Sequence, residues 1–295
     1  MANVTVTTNL ANIPVGTDKD IIRSISFKTV LQKTVNQIPW KKGMGQTIFS
    51  SRTVNWAKQI KFPDTNTTPT AYNTTREALY IDTFEYSASL VEDFAALFIP
   101  DAVIADIART QGYALARGVD VAIANQFQSF SQQVTGTGYN IELIFADLLK
   151  ALQLIQIGGV DPDEESVFAV FSVNQAASFK SQQVFTDSTY AGQDGINNFK
   201  KAKLQQTQII GATALTSLLL RAPSGGGHDM ALYSKDAIGL AFAMQPEVVE
   251  EWRGFEQGKL MITRHAYGIK RSQRGNETPG STSVNDAWAV GLKGV

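Results

Sequence analysis

Two segments with strand-like alternation, separated by a polar loop, limit the folds open to this chain more than any other part of it. Apolar and polar residues alternate over residues 46–62, which is typical of a half-exposed strand. Residues 63–75 (PDTNTTPTAYNTT) are a loop, and a second alternating segment returns over residues 78–90. An isolated two-stranded ribbon is only marginally stable in water. We therefore expect this arm to lie on another surface, and a second copy of the chain is the natural candidate.

The composition is that of a folded protein with a neutral polar surface. The chain has 295 residues, of which 43% are hydrophobic, enough for one large unit or two intertwined lobes. Charged residues are 18% of the chain, below the roughly 25% of typical globular proteins. Neutral polar groups cost less to desolvate than unpaired charges. Such a surface suits repeated contacts between copies of one chain.

Charge and cysteine content exclude several classes of function. The 26 basic and 27 acidic residues leave no surplus for neutralising nucleic-acid phosphates, so any contact with DNA is expected to be non-specific. The absence of cysteine excludes disulfides, thiolate nucleophiles and cysteine-ligated metals. The N-terminus does not resemble a signal peptide, and no apolar run reaches the 18 or so residues of a membrane helix. The sequence predicts a protein that is made in the cytoplasm and does not enter a membrane.

The strongest helix signal covers residues 99–127. Pro100 and Asp101 suit a helix start, and Gln111, Leu115 and Val119 recur at helical spacing. At about 1.5 Å per residue this helix would span roughly 40 Å, long enough to organise a domain.

The remaining pattern predicts an α+β fold. A short helix within residues 20–37 is expected to end before Pro39, and another within 235–244 is expected to end at Pro246. Further helices are predicted over residues 141–157 and 174–185, and strands over 166–173, 208–220, 230–234, 259–271 and 286–292.

The order of these elements resembles that of the major capsid proteins of tailed bacteriophages, which have the Hong Kong 97-type capsid fold. Four segments carry the resemblance: YALARGVDVAIANQF (113–127), VFAVFSVNQAASFKSQ (167–182), SKDAIGLAFAMQPEVVEEW (234–252) and HAYGIKR (265–271). The resemblance implies an N-terminal arm (1–40), an extended loop (41–80), a peripheral domain with a long spine helix (81–140), an axial domain (141–246), and return strands of the peripheral domain (247–295).

The same resemblance implies a structural function. The chain would self-assemble as hexamers and pentamers into the icosahedral shell that encloses the double-stranded DNA genome, with the virion as its location and the host cytoplasm as its site of assembly. Because the hairpin begins by Gln46, no room is left for a long N-terminal scaffolding segment, so we expect a separate scaffolding protein. A portal protein at one vertex and a decoration protein are the other partners that the resemblance suggests. Lys58 and Lys61 are candidates for intersubunit cross-linking, but solvated strand lysines are the favoured interpretation.

Residues with catalytic or ligand-binding chemistry are few, and we predict no catalytic, cofactor-binding or metal site. His228 lies in a glycine-rich turn and His265 in an alternating strand, so both are interpreted as structural. The chain contains no G-x-S-x-G, G-x-x-x-x-G-K-[ST] or H-E-x-x-H motif. An acidic cluster is interpreted as a solvated turn, with a cation site as the alternative. That cluster comprises Asp161, Asp163, Glu164 and Glu165.

Two surface features and two rival functions remain open. Glu247, Glu250 and Glu251 predict an exposed acidic face, or salt bridges between subunits. Three tryptophans fit either core or interface: Trp56, Trp252 and Trp288. The rivals are an encapsulin-type nanocompartment shell, which shares the fold, and an α+β hydrolase that uses His228 or His265. We favour a capsid subunit that is not an enzyme.

Overall fold

The computed structural model describes residues 3–5, 30–53, 74–93, 101–139, 142–182, 207–209, 212–217, 220, 230–272 and 287–294. Within these ranges lie α1 (Asp101–Phe127), α2 (Phe145–Ile157) and α3 (Val173–Ser181). In chain order the strands are β1 (Asn3–Thr5), β2 (Asn36–Gln37), β3 (Thr47–Thr53), β4 (Thr74–Tyr80), β5 (Thr83–Glu92), β6 (Gln132–Thr135), β7 (Val167–Phe171), β8 (Thr207–Ile209), β9 (Ala212–Thr216), β10 (Met230–Ser234), β11 (Ile238–Arg253), β12 (Gly258–Arg271) and β13 (Ala289–Lys293).

A five-stranded sheet with the order β1-β5-β12-β11-β2 forms one half of the protein. β5, β12 and β11 are antiparallel neighbours, whereas the short β1 and β2 are parallel additions at the two edges. α1 covers one face of this sheet. Its buried Gln111 donates a hydrogen bond to Ser89 of β5 (2.7 Å) and accepts one from Thr263 of β12 (2.9 Å). The polar member of the predicted helical stripe therefore positions the helix across two strands.

A six-stranded sheet with the order β6-β13-β10-β7-β9-β8 forms the other half. β7 and β10 are buried along nearly their whole length, as expected for strands covered on both faces. Ser172 caps α3 by accepting a hydrogen bond from the backbone N–H of Gln175 (3.1 Å). β6 and β13 lie on either side of the 141–246 range in sequence, yet both belong to this sheet.

The two halves share one hydrophobic core. The last turn of α1 brings Phe127 within 5.3 Å of Tyr233 in β10 and within 6.0 Å of Phe130, as measured between ring centroids. All three rings are buried. Aromatic pairs at this separation stabilise a core beyond their buried area. α1 therefore contacts the five-stranded sheet along its length and the six-stranded sheet at its end.

The helices predicted over residues 99–127, 141–157 and 174–185 are confirmed, with small shifts at their ends. The second begins at Phe145 because the segment before it is held extended by the fully buried Gln175. The Gln175 amide accepts a hydrogen bond from the backbone N–H of Leu143 (3.1 Å) and donates one to its carbonyl oxygen (2.9 Å). The Gln175 side chain thus pairs with the backbone N–H and carbonyl groups of Leu143, which would otherwise bond within a helix.

The helix predicted over residues 235–244 is wrong. A single 3-10 turn, Lys235–Ala237, is followed by β11, which continues past Pro246 to Arg253. β11 and β12 pair over 13 partner positions, and the resulting burial favours a strand over local helical propensity. Pro246 is tolerated because it lies where the register shifts between Met244 and Glu247, and proline in sheets is found at such irregularities.

The predicted hairpin is present, but its second predicted strand, residues 78–90, is divided between β4 and β5. β3 pairs antiparallel with β4, and the chain then enters β5 of the five-stranded sheet after Asp82. Ile48 and Leu79 face Ala241 and fix the base of the ribbon to β11. Residues 54–73, which include most of the loop predicted over 63–75, lie outside the described residues, and the last two residues of that loop belong to β4.

Gly112 offers a direct test of how helix propensity contributes to α1. No atom of the described chain lies within 4 Å of the position that a Cβ would occupy at Gly112. We expect Gly112→Ala to raise the free energy of unfolding by about 0.5–1 kcal/mol, because alanine loses less backbone entropy in a helix. Urea denaturation of unassembled protein would measure the change; a loss of stability would show that α1 needs glycine at this position.

Candidate intersubunit surface

In the distal part of the β11–β12 hairpin, β11 is the strand that lies away from β5. β11 and β12 remain paired from Glu247–Arg264 to Arg253–Gly258, and residues 254–257 form the turn. On its other side β12 pairs with β5 up to Gly258, which lies opposite Glu92. Gln257 has a φ of 42°, and the following Gly258 packs against the carbonyl oxygen of Val91 in β5, where a side chain would overlap that oxygen. The hairpin is therefore held next to its turn through β12.

Large apolar side chains of this hairpin are exposed. Val248 is 50% exposed, Trp252 is 57% exposed, and Phe255 at the turn is fully exposed. Residues 250–257 are all exposed. An exposed tryptophan and phenylalanine at one tip are typical of a surface that another protein covers.

Among the described strands, none pairs with the outer edge of β11 over most of its length. β2 pairs only with Gly239 and Leu240. From Phe242 to Arg253, no strand of the described part of the chain pairs with this edge. A long edge with unpaired backbone N–H and C=O groups can add a further strand.

The acidic face predicted at this hairpin is exposed, and its carboxylates pair within the chain. Glu250 lies 2.5 Å from the Lys259 ammonium and Glu247 lies 2.7 Å from the Arg264 guanidinium. All four side chains are about half exposed, so each pair contributes little to stability. Salt bridges from these glutamates to another subunit remain a prediction.

The face of the five-stranded sheet opposite α1 is also exposed. Phe84 and Tyr86 of β5 are 56% and 66% exposed, whereas the alternate residue Glu85 points to the α1 side. On the ribbon, Phe49 and Tyr80 are exposed on the face opposite Ile48. The alternation in the sequence predicted half-exposed strands here, but it does not indicate which aromatic residues are left uncovered.

A cavity of about 200 Å³ lies where the ribbon meets the edge of the sheet. Lys270 of β12 crosses this region and donates a hydrogen bond to the carbonyl oxygen of Ala78 (2.7 Å). The lining mixes apolar side chains with both signs of charge. It includes Ile38, Ile48, Phe49, Glu77, Asp236 and Arg271.

His265 is held in the interior and is not accessible to a substrate. Its side chain is completely buried beneath α1, and its Nε2 lies 2.9 Å from the Glu85 carboxylate. The Tyr267 hydroxyl donates to the other oxygen of the same carboxylate (2.9 Å), and burial together with this hydrogen bond raises the pKa of Tyr267. Gly118 of α1 leaves room for Glu85, because a Cβ there would lie 2.5 Å from Oε2. The arrangement joins α1, β5 and β12.

The acidic turn and Trp288 both form hydrogen bonds within the chain. In the acidic turn, Asp161 accepts a hydrogen bond from the backbone N–H of Asp163 (3.0 Å), and Glu165 accepts one from Ser234 (3.2 Å). Trp288 is half-buried and donates to the carbonyl oxygen of Gly158 (3.1 Å). Four residues lie outside the described ranges: Trp56, Lys58, Lys61 and His228.

In the described ranges, no three histidine or acidic side chains are grouped so that they could hold a metal ion. No helix of that part of the chain is long and apolar enough to cross a membrane.

Asp120 is a structural residue that the sequence did not identify. It is 1% exposed, and its carboxylate accepts hydrogen bonds from the backbone N–H groups of Val30 (2.9 Å) and Gln32 (3.1 Å). Nearby, the Thr34 hydroxyl lies 2.6 Å from that of Tyr233. The sequence feature that could have identified Asp120 is an aspartate next to the buried stripe of an otherwise alanine-rich helix.

Comparisons with known proteins identify the fold. No protein-family model matches the chain, and no curated protein matches it. Solved structures do match over nearly the whole length. A structure from Mycobacterium phage Che8 has a TM-score of 0.72 at 18% identity and covers 95% of this chain and 96% of its own.

Two further structures agree in shape and extent. The capsid of cyanophage P-SCSP1u has a TM-score of 0.69 at 13% identity, with 96% and 94% of the two chains covered. The acid-stable capsid of Helicobacter pylori bacteriophage KHP30 has a TM-score of 0.71 at 12% identity, with 98% and 97% covered. At these identities the likeness concerns the fold. The α+β capsid fold predicted from the sequence is confirmed, and this chain has the fold of phage capsid proteins.

Proposed function

We propose that this chain is the major capsid protein of a tailed bacteriophage, a structural subunit and not an enzyme. The observation that carries the proposal is the match of nearly the whole chain to phage capsid structures, with no long segment left over for another activity. The exposed aromatic tip and the outer edge of β11, which no described strand covers beyond Leu240, support it, because surfaces of this kind are covered when copies assemble.

The proposed domain organisation follows from the two sheets. The five-stranded sheet with α1 would be the peripheral domain, with α1 as the spine helix. The six-stranded sheet with α2 and α3 would be the axial domain at the centres of hexamers and pentamers. The N-terminal arm would cover residues 1–40, and the extended loop residues 41–80. β6 and β13 would then join the axial domain, outside the 141–246 range.

Assembly is the proposed mechanism. Contacts between unlike patches of identical chains close into rings when the rotation between neighbours allows it, and rings of six and five together close a shell. The partners are other copies of the chain, a separate scaffolding protein, a portal protein at one vertex and a decoration protein. DNA would be enclosed with only non-specific contacts, because the chain carries a net charge of -1. The protein would reside in the virion after assembly in the host cytoplasm.

Two alternatives have less support. An encapsulin-type shell shares the fold, but the solved structures described above come from phages. A co-purifying cargo enzyme would favour it. A hydrolase that uses His265 is disfavoured by the complete burial of that side chain. Replacing both histidines with alanine would abolish hydrolase activity, whereas a shell protein would still assemble.

Negative-stain electron microscopy of the expressed protein, alone and with a candidate scaffolding protein, tests the proposal. We expect closed shells, or tubes and rings built from hexamers. A uniform monomer or dimer at high concentration under both conditions would contradict the proposal and favour the enzyme alternative.

A further inference from the structure

We propose that the tip of the β11–β12 hairpin of one copy docks at the opposite end of the same two strands in a second copy, with Trp252 seated in the cavity at the base of the ribbon. The inference rests on the proposed function, since it requires assembly. It adds to that function a matched pair of surfaces and names the side chain that joins them.

The first argument is that the two surfaces lie at opposite ends of one pair of strands. β11 runs from Ile238, beside the cavity, to Arg253 at the tip, and β12 returns from Gly258 to Arg271, which lines the cavity. At about 3.3 Å per residue, the tip and the cavity are roughly 40 Å apart. A projection at one end and a recess at the other allow a head-to-tail contact, which passes from copy to copy and closes into a ring when the rotation between neighbours permits it.

The second argument is the fit of Trp252 to the cavity. Trp252 is 57% exposed, and the cavity has a volume of about 200 Å³. An apolar cavity of about 150 Å³ binds benzene, so this one has room for the larger indole ring. Ile38 and Ile48 provide apolar contacts in its lining. The carboxylates of Glu77 and Asp236 also line it and can accept a hydrogen bond from the indole N–H, for which a buried tryptophan needs a partner.

The third argument is that the tip is acidic. Residues 245–257 contain one arginine and four glutamates: Glu247, Glu250, Glu251 and Glu256. If two tips docked on each other, these carboxylates would face one another, and juxtaposed like charges oppose association. A contact between two tips is therefore disfavoured.

The border of the cavity has the complementary charge. Residues 30–53, which form one wall of the cavity, contain no acidic residue and four basic ones: Lys33, Lys41, Lys42 and Arg52. Lys41 and Lys42 are exposed in the connection between β2 and β3. Opposite charges on facing surfaces steer association and disfavour wrong partners. The acidic tip of one copy and the basic border of the cavity in the next are thus matched in charge as well as in shape.

Disulfide trapping tests the contact directly, and the chain suits it because it has no native cysteine. The variant Glu251→Cys places one cysteine beside Trp252. It would be combined in turn with one of three cysteines at the cavity, and assembled particles would be oxidised with copper–phenanthroline. These three are Lys41→Cys, Lys42→Cys and Phe49→Cys. We expect at least one pair to give a ladder of covalent oligomers on denaturing gels.

The controls separate this contact from accidental cross-linking. A disulfide requires Cα atoms within roughly 7 Å, and the two positions of one chain lie at opposite ends of the hairpin, so any bond between them joins two copies. Each single-cysteine variant is expected to give no covalent dimer. The matched control combines Asp163→Cys, in the exposed acidic turn, with the same three cavity cysteines, and we expect no ladder from it.

Charge exchange provides the second test. The double variant Lys41→Glu and Lys42→Glu is expected to reduce shell yield at least tenfold, and adding Glu250→Lys and Glu251→Lys is expected to restore it. Thermal unfolding of the unassembled variants would verify that they fold, which we expect because all four side chains are exposed. The control pair Asp163→Lys and Glu164→Lys should leave the yield unchanged.

Truncation of the tryptophan provides the third test. Trp252→Ala is expected to reduce shell yield at least tenfold, because a large aromatic side chain seated in a pocket carries much of the energy of a contact. Its thermal unfolding should match that of the unmodified chain, since the side chain is exposed in the single copy. An unchanged yield would show that Trp252 is not the anchor and would overturn the inference.

The outcomes separate this inference from the proposed function. If the unmodified chain forms no shells under any condition, the proposed function is contradicted and this inference falls with it. If it forms shells but none of the three Glu251→Cys pairs gives a ladder, or the Asp163→Cys control gives an equal one, the tip does not dock at the cavity and this inference alone is overturned. The same conclusion follows if the charge-exchanged chain folds but forms no shells. Should that chain fail to fold, the disulfide result decides.

Discussion

Asp120→Ala is expected to lower the free energy of unfolding by about 3 kcal/mol. The substitution removes the acceptor for the backbone N–H groups of Val30 and Gln32, and each buried donor left unpaired costs about 1–3 kcal/mol. Leu31, between the two donors, is completely buried in the core, so the segment cannot move into water without exposing it. Urea denaturation of unassembled protein measures the loss.

Asp120→Asn separates the hydrogen bonds from the charge. The amide oxygen retains one acceptor, so a smaller loss of about 1 kcal/mol is expected. A loss for Asp120→Ala below about 0.5 kcal/mol would show that the segment at Val30 is not held by α1.

The pH dependence has a definite sign. Burial raises the pKa of Asp120 above its ordinary 3.8, and the hydrogen bonds from Val30, Leu31 and Gln32 oppose this shift without overcoming it. The folded state therefore retains the proton to a higher pH than the unfolded chain. Consequently, the contribution of Asp120 to stability falls as pH rises from 3.8 through the pKa of the folded state. Asp120→Asn should abolish this slope, and comparison of urea midpoints across pH would detect it.

Gly268→Val is expected to destabilise the protein by about 3 kcal/mol. A Cβ at Gly268 would overlap the carbonyl group of Tyr80, where the chain passes from the ribbon to β5. The obstacle is backbone on both sides, so relief requires a shift of the crossing segment or of β12, and overpacking of this kind costs about 1–3 kcal/mol or more. The hydrogen bond from the N–H of Ile81 to the carbonyl oxygen of Gln46 (2.9 Å) would be displaced with it.

Gly254→Ala is the matched control in the same hairpin. It lies in the exposed turn with no atom within 4 Å of the Cβ position, and a change within about 0.5 kcal/mol is expected. Thermal unfolding of unassembled protein would compare the two. Equal stability of Gly268→Val and the unmodified chain would mean that the crossing at Tyr80 can move freely.

Local periodicity predicted three helices correctly and one, over residues 235–244, wrongly, and it did not predict how the strands divide between sheets. The 3.6-residue spacing of Gln111, Leu115 and Val119 identified α1 and its buried face. Alternation over residues 78–90 identified strand structure but not its division between two sheets, because both pieces alternate with the same period. Where the two pieces meet, the chain packs against Gly268, which is distant in sequence.

The exposed hairpin was predicted in part. The sequence identified Glu250 and Glu251 as an exposed face and left Trp252 between core and interface, whereas the structure shows Trp252 exposed. That no described strand pairs with the outer edge of β11 beyond Leu240 follows from the sheet order, which a linear pattern does not encode.

The sequence by itself determined the α+β class, the long helix and the capsid-type order of elements. These depend on local periodicity and composition, which act over a few residues. The tertiary structure alone decided that residues 238–253 form a strand and not a helix, and that β13 joins the six-stranded sheet. It alone placed Asp120 beneath the segment at Val30 and showed that β2 is the one described strand on the outer edge of β11. The physical reason is that burial and strand pairing between distant residues contribute more free energy than local propensity does.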